Sequence, residues 1–337
     1  MSKPSQSEPA GIHLDARVVP FPSSITSEAR ASLIRLVNPA GVPVNSLQPF
    51  PALHDHQGWM ALKEQVDGFY TKAVAGAATN LRATLETVEL GGATVHVATP
   101  EPSGNDRRAY MELHGGALTF GGGLACRVGA GMHADRHGVR CYSIDYRMPP
   151  EHPYPAALDD CVVAYRALLE DHAPGEIIVG GRSAGGNLAA ATLLRAKADG
   201  LPLPAALVLL SPQVDLTESG DSFVVNAGLD VVLPRSLMAS NLLYAAGADL
   251  ADPYLSPLFG DLSGFPPTLL VTGTRDLFLS NTVRMHRRLR DAGVLAELHV
   301  FEAMPHGGFM GAPEDDQAAA EVSRFVREQW QRTCELD

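Results

Sequence analysis

Four cysteines in 337 residues, Cys126, Cys141, Cys161 and Cys334, are too few and too scattered for a disulfide framework, and no two stand in C-x-x-C spacing. They read as buried or incidental thiols of a reducing, cytoplasmic compartment. Basic residues are in deficit: 26 Lys and Arg face 38 Asp and Glu, for a net charge of −12, and no basic run occurs. That excludes the electrostatic footprint of a nucleic-acid or anionic-membrane binder. Residues 1–10 are polar and carry no apolar core, so no secretory signal is expected. The longest apolar stretch, 201–210, is interrupted by prolines and too short to span a bilayer. There is no internal repeat and no low-complexity tract. Metal-ligand sets are also missing. His54-x-His56 and His133-x-x-x-His137 each lack a third ligand and the Glu of H-E-x-x-H, so they read as helix-surface histidines and no metal or cofactor is expected.

What is present is apolar sequence in two periods. The chain is 45% hydrophobic, enough for one large α/β domain with an appended piece. A loose arm runs to about residue 23. Ser24, Thr26 and Ser27 then offer a cap for a helix with Ala29, Leu33, Leu36 and Val37 at helical spacing, ended by Asn38-Pro39-Ala40-Gly41. A second helix carries Trp59, Leu62, Val66, Phe69, Tyr70 and Ala73, a stripe that reads as core packing, as a lid over a pocket, or as both. Gly91-Gly92 between alternating residues predicts a hairpin over 87–98, with His96 on its solvent side. Strand-like runs follow at 109–113, 139–144, 177–180, 205–210, 268–272 and 296–301. They alternate with helical patterns at 124–136, 156–171, 188–198 and 280–292, and a last helix spans 317–331. This is the rhythm of a mostly parallel sheet with helices on both faces. It breaks between Pro212 and Pro253, where 226–246 reads as helical and suits a second lid segment. Trp59 and Met238 are the candidate pocket walls.

One serine stands at the apex of a strand–turn–helix. The run Ile177-Ile178-Val179 leads into Gly181-Arg182-Ser183-Ala184-Gly185, and an Ala-rich segment leads out. The pattern is G-x-S-x-G, which lifts a serine Oγ clear of both elements. Gly181 and Gly185 keep side chains out of the close crossing of strand and helix, and the helix N-terminus points free N–H groups at the same place. Alone the pentapeptide is a weak signal, since a Gly-Ser-Gly loop also merely turns a chain.

The rest of the chain supplies partners. Acyl transfer needs a base and an acid, which in this fold class follow the serine in the order acid, then histidine, on loops after later strands. Asp276 follows the strand at 268–272, and His306 follows the strand at 296–301. Asp215 and Glu302 are rival acids, and a helix N-cap is the bland role for Asp276. Oxyanion donors are offered by His114-Gly115-Gly116-Ala117 after the strand at 109–113, together with the Ala184 amide. The glycines at 116–121 have phosphate-loop spacing, but Gly122-Gly123 stand where Lys and Ser/Thr are required, which rejects nucleotide binding. Cys126, shortly after this loop, is placed near the site.

These motifs resemble the bacterial hormone-sensitive-lipase-like (family IV) esterases of the α/β-hydrolase superfamily. His114-Gly115-Gly116-Ala117 is similar to HGGG. Asp145-Tyr146-Arg147-Met148-Pro149-Pro150-Glu151-His152-Pro153-Tyr154-Pro155-Ala156-Ala157 is similar to DYRLAPEHPFPAA, and Gly181-Arg182-Ser183-Ala184-Gly185-Gly186-Asn187 to GDSAGGN. Asp252-Pro253, Phe265-Pro266-Pro267, Gly273-Thr274-Arg275-Asp276 and Met304-Pro305-His306-Gly307 complete a likeness over about residues 80–331.

The resemblance implies an α/β-hydrolase fold: a mostly parallel eight-stranded sheet flanked by helices, with a helical cap from residues 1–80 and from a second segment at about 213–250, over a catalytic domain at 81–337. It implies a serine carboxylesterase for short-chain esters, with Ser183, Asp276 and His306 catalytic and no cofactor or metal. The oxyanion hole falls on Gly115, Gly116, Ala117 and Ala184, and His114, Gly181 and Gly185 shape the motifs. A lactone, carbamate or small-amide hydrolase would use the same triad. A ligand binder of the gibberellin-receptor kind keeps the fold without the histidine. Partners are a small-molecule ester, no nucleic acid and no membrane, with a homodimer implied by analogy alone. Asp145, Arg147 and Glu151 are expected to brace the oxyanion loop and elbow. Two departures stand out. Ala117 replaces the third glycine of HGGG, so a positive φ there would cost energy. Arg182 replaces the Asp before the nucleophile, and its expected role is to pair with a carboxylate.

Overall fold

The computed structural model describes residue 12 and residues 15–102 and 107–334. Eight strands form one sheet: β1 (Thr84–Leu90), β2 (Ala93–Thr99), β3 (Ala109–Leu113), β4 (Arg140–Ile144), β5 (Ile177–Arg182), β6 (Ala206–Leu210), β7 (Thr268–Gly273) and β8 (Ala296–Phe301), in the order β1-β2-β4-β3-β5-β6-β7-β8. The Gly91-Gly92 hairpin pairs β1 with β2, and β2 runs antiparallel to β4. The remaining pairings, β4–β3–β5–β6–β7–β8, are parallel. The central parallel strands read as unbroken apolar runs because both faces are covered: β6 is Ala-Leu-Val-Leu-Leu, and all of β7 is buried.

The helices are α1 (Ser27–Arg35), α2 (His56–Ala78), α3 (Leu124–His137), α4 (Ala156–Asp171), α5 (Ala184–Ala198), α6 (Ser222–Val225), α7 (Met238–Ala245), α8 (Leu279–Asp291) and α9 (Pro313–Cys334). Strand alternation divides the core. Met111, Val179, Leu207 and Leu270 point into the layer formed by α4, α5 and α8, and Tyr110, Ile178, Val208 and Val271 into the layer of α3 and α9. By the same period-two rule Glu112 and Arg182 belong to the α3/α9 face. Among the described residues, no helix is long and apolar enough to cross a membrane.

Four expectations are corrected. The segment expected to be helical over 226–246 is helix only in α7; before it the chain is irregular. Pro234 blocks helical continuation, and the Asp230 carboxylate accepts from the amides of Val232 (3.0 Å) and Leu233 (2.9 Å) in place of helical bonding. His96 does not face solvent: it is buried between Thr87 Oγ1 (2.9 Å) and Asp145 (3.2 Å), because β2 is an internal strand between β1 and β4. His133 and His137 are half-buried rather than fully exposed. Both stack on Tyr110 with ring centroids 4.9 Å apart, and burial holds both below the ordinary imidazole range, so they are neutral. Phe69, at 64% exposure, lies off the packed face of α2.

The N-terminal helices and the β6–β7 insertion meet. Trp59 and Leu62 of α2 pack with Phe120 and Leu243 of α7, and Ala117 joins the edge of that cluster. Trp59 is fully buried, stacks on Phe50 at 5.7 Å and donates to the Ala52 carbonyl at 3.1 Å. The loop after β3 therefore has a roof made from two distant parts of the chain.

Candidate active site

The turn between β5 and α5 places Ser183 at φ 56°, ψ −120°. A non-glycine residue in such a region costs on the order of 1–3 kcal/mol and persists only where its surroundings over-determine it. Here the Ser183 amide donates to Leu210 O (2.9 Å), and its carbonyl accepts from Asn187 N (3.2 Å) and Gln213 N (3.0 Å). The flanking glycines have a steric reason. A Cβ on Gly181 would lie 2.2 Å from Gly185 O, and one on Gly185 only 1.8 Å from Leu113 O. Both obstacles are backbone, which cannot swing away.

β7 and β8 are neighbours, so the loops after them deliver Asp276 and His306 to the same end of the sheet as Ser183. Nε2 of His306 lies 2.9 Å from Ser183 Oγ, and Nδ1 lies 3.0 Å from Asp276 Oδ1. A carboxylate only accepts, so Nδ1 carries the proton and Nε2 is free to accept from the serine. Asp276 is fully buried and also accepts from Phe278 N and Thr272 Oγ1, both at 2.8 Å. Burial opposes its ionisation, yet the His306 charge and hydrogen bond outweigh that and hold its carboxyl below the usual range. For His306, burial opposes the imidazolium, but Asp276 and then Asp230 outweigh it and raise the pKa above the ordinary imidazole value.

The loop after β3 bends through Gly116 (φ 128°), Ala117 (φ 53°) and Leu118 (φ 60°). Ala117 thus adopts the positive φ that its methyl disfavours, by about 1–2 kcal/mol. The loop is fastened on every side. Thr119 N and Phe120 N donate to Gly116 O, Gly121 N to Asp67 Oδ1 (2.7 Å), and Gly123 N to Asp145 (3.0 Å). His114 stacks on Tyr146 at 4.1 Å, and the Tyr146 hydroxyl donates to His114 O at 2.7 Å. A Cβ on Gly115 would touch Ser183 Cβ at 3.4 Å, so the loop passes directly over the serine. Among the described residues, the amides of Gly116, Ala117 and Ala184 have no hydrogen-bond acceptor.

The motif residues divide. Asp145 braces this loop, whereas Arg147 binds Asp160 on α4 (2.7 Å). Glu151 is exposed and makes no side-chain hydrogen bond among the described residues, so the bracing expected of it is not seen. Of the rival acids, Asp215 is buried against Arg284 (2.7 Å), and Glu302 is exposed. Arg182 does not pair with a carboxylate among the described residues: its Nη1 donates to Gly307 O. The cavity over Ser183 measures about 570 Å³. Its walls include Val66, Tyr70 and Leu237 rather than Trp59 and Met238, because Trp59 is consumed in holding α2 down. Cys126 reaches the cavity, and its thiol contacts Ser143 Oγ at 3.2 Å. His96, Cys126 and Asp145 offer ligand atoms within 4.8 Å of one another, but Thr87, Ser143 and Gly123 already engage them.

Sequence reasoning missed Asp230. Its Oδ2 accepts from Leu277 N (2.8 Å) and His306 N (3.1 Å), so one carboxylate of the insertion ties together the acid loop and the histidine loop. Burial and then the Asp276 charge push its pKa up to about 6. The signal was an acid inside the apolar run Leu229-Asp230-Val231-Val232-Leu233. All of these contacts to Asp230 come from N–H donors. Asp230→Asn sets an NH2 group against two of them, and is expected to lower stability by about 1–3 kcal/mol. Urea unfolding checks this, and an unchanged midpoint would refute it.

A family model described as alpha/beta hydrolase fold matches residues 80–310. The chain is an α/β-hydrolase. Among curated relatives of this α/β-hydrolase are an acetyl-hydrolase of Streptomyces hygroscopicus, 35% identical over 61% of this chain and 69% of that one, and an esterase of Acinetobacter venetianus, 34% identical over 64% and 73%. Among solved structures, esterase E25 superposes with a TM-score of 0.87 at 37% identity, over 95% of this chain and 98% of that one. An esterase from the bacterial hormone-sensitive lipase family superposes with a TM-score of 0.75 at 31% identity, over 89% and 98%. This α/β-hydrolase belongs with the bacterial hormone-sensitive-lipase-like esterases.

Proposed function

We propose that the protein hydrolyses short-chain carboxylic esters through a Ser183–His306–Asp276 triad. Ser183 Oγ attacks the acyl carbonyl as His306 Nε2 takes its proton. The amides of Gly116, Ala117 and Ala184, beside Gly115, receive the oxyanion. His306 then protonates the leaving alcohol, and a water activated by the same nitrogen releases the acid. Asp276 holds the imidazole's tautomer and stabilises its charged form. The described part of residues 1–80 and the segment at about 213–250 form the cap over the described part of the catalytic domain at 81–337, the remaining residues of both ranges lying outside the described residues, and the modest cavity suits short acyl groups.

The observation that carries this reading is His306 bridging Ser183 and Asp276 at 2.9 and 3.0 Å beside a loop of unengaged amides. A fluorophosphonate ester tests it. One equivalent is expected to react, and peptide mass spectrometry is expected to find it on Ser183. An inert serine would instead mark a ligand binder on the same fold.

A further inference from the structure

The cavity above Ser183 has one arm whose charge the hydrolysis of a neutral ester does not use. Strand alternation sends Arg182 into the α3/α9 layer, where it reaches the cavity and spends one N–H on Gly307 O. Arg136 of α3 lines the same cavity. Among the described residues neither guanidinium has a carboxylate partner.

The carboxylates around them are already engaged by other donors. Glu112, from β3, is bonded to the Ser143 hydroxyl, and burial pushes it up to about 7. His133 is neutral. Asp315 of α9 is engaged by the amides of Phe309 (2.8 Å), Gly311 (2.7 Å) and Ala312 (3.1 Å). Asp276 is committed to His306. The arm therefore holds two guanidinium groups whose neighbouring carboxylates, Asp315, Asp276 and Glu112, are each bonded to other donors, and neither arginine forms an ion pair with them among the described residues. Arg182 is open to cavity solvent yet surrounded by protein. Its desolvation, and then the charge of Arg136, hold it below the ordinary guanidinium range. An anion entering the arm relieves both costs, and a guanidinium fork matches a carboxylate.

We propose that Arg182 and Arg136 form a subsite for a free carboxylate on the substrate, so that the preferred ester is a monoanion carrying that group on its acyl or its alcohol side. This rests on Ser183 being the nucleophile. Charge-assisted hydrogen bonds of this kind correspond to a preference of about 10- to 100-fold.

The test is a pH-stat comparison of matched esters. On the acyl arm, monoethyl adipate is compared with ethyl hexanoate. On the alcohol arm, 3-(butanoyloxy)propanoate is compared with propyl butanoate. In the wild type the anionic ester of at least one arm is expected to exceed its neutral partner in kcat/KM by about 10- to 100-fold, and the arm that shows it identifies the side. The readout is the anionic-to-neutral ratio, which is insensitive to how much of a variant is folded. That ratio is expected to collapse toward unity in Arg182→Gln and to fall in Arg136→Gln, with part of it restored in Arg182→Lys. Wild-type ratios at or below unity on both arms, with neutral esters hydrolysed, would overturn the subsite and leave the triad standing. So would a ratio retained in Arg182→Gln. Hydrolysis of none of the esters would overturn the triad reading and the subsite with it.

Discussion

Ser183→Ala is expected to lower kcat for p-nitrophenyl butanoate by about 10⁴-fold or more while the protein stays folded. The scale follows from what is removed. Without Oγ no acyl-enzyme forms, and His306 has no hydroxyl to deprotonate. What survives is the rate given by binding and oxyanion donors acting on a direct attack by water, a residue of catalysis far below that of the intact triad. Folding is expected to be little affected. The hydroxyl's bond is to His306, whereas the backbone bonds to Leu210, Asn187 and Gln213 belong to the main chain and are kept. Alanine also accepts no more strain at φ 56° than serine already does. Equal thermal midpoints with activity lost identify a chemical role. Activity near that of the wild type would sink the mechanism.

The site was legible where its chemistry is tied to backbone geometry. Gly181 and Gly185 appear in the sequence because a Cβ at either would overlap main-chain atoms, so composition records the fold directly. Asp276 and His306 were found because each follows a strand-like run, apolar and buried in β7 and alternating at the sheet edge in β8, and adjacent parallel strands end together. Charge and burial on helices and insertions were less legible. His133 and His137 have ordinary helical spacing, and only the position of Tyr110 across the sheet layer brings them partly under cover. Asp230 was hidden because its partners, Leu277 N and His306 N, are backbone groups far along the chain, which no side-chain pattern encodes. Arg182 was placed correctly in sequence but given the wrong partner. The expected carboxylate was sought by charge, whereas the nearest acceptor is the carbonyl of Gly307, brought there by the histidine loop.

Asp276→Asn is expected to reduce kcat by about 10²–10³-fold and to move the acid limb of the pH profile downward. An amide in place of this carboxylate can act in two ways, and the surrounding donors select between them. If the NH2 group faced His306, Nδ1 would have to accept, Nε2 would carry the proton, and the base would be lost, a change worth about 10⁴. Phe278 N opposes that arrangement. It donates at 2.8 Å to the same oxygen that receives His306 Nδ1, so the amide oxygen is held toward the histidine and the NH2 toward Thr272 Oγ1, a hydroxyl able to accept. The working tautomer is kept, and what is lost is the negative charge that stabilises the imidazolium of the transition state. The pH dependence follows the same reasoning. His306 must be neutral to act as a base, so kcat/KM rises as pH passes upward through its pKa, which in the wild type lies above the ordinary imidazole value. Removing Asp276's charge leaves burial, which lowers that pKa, opposed only by Asp230. Asp230 in turn ionises more readily without Asp276 beside it, so the downward shift is partly offset rather than complete. A kcat within a few-fold of the wild type would remove Asp276 from the mechanism. A loss near 10⁴ would instead show that Phe278 fails to hold the amide and that the tautomer has switched.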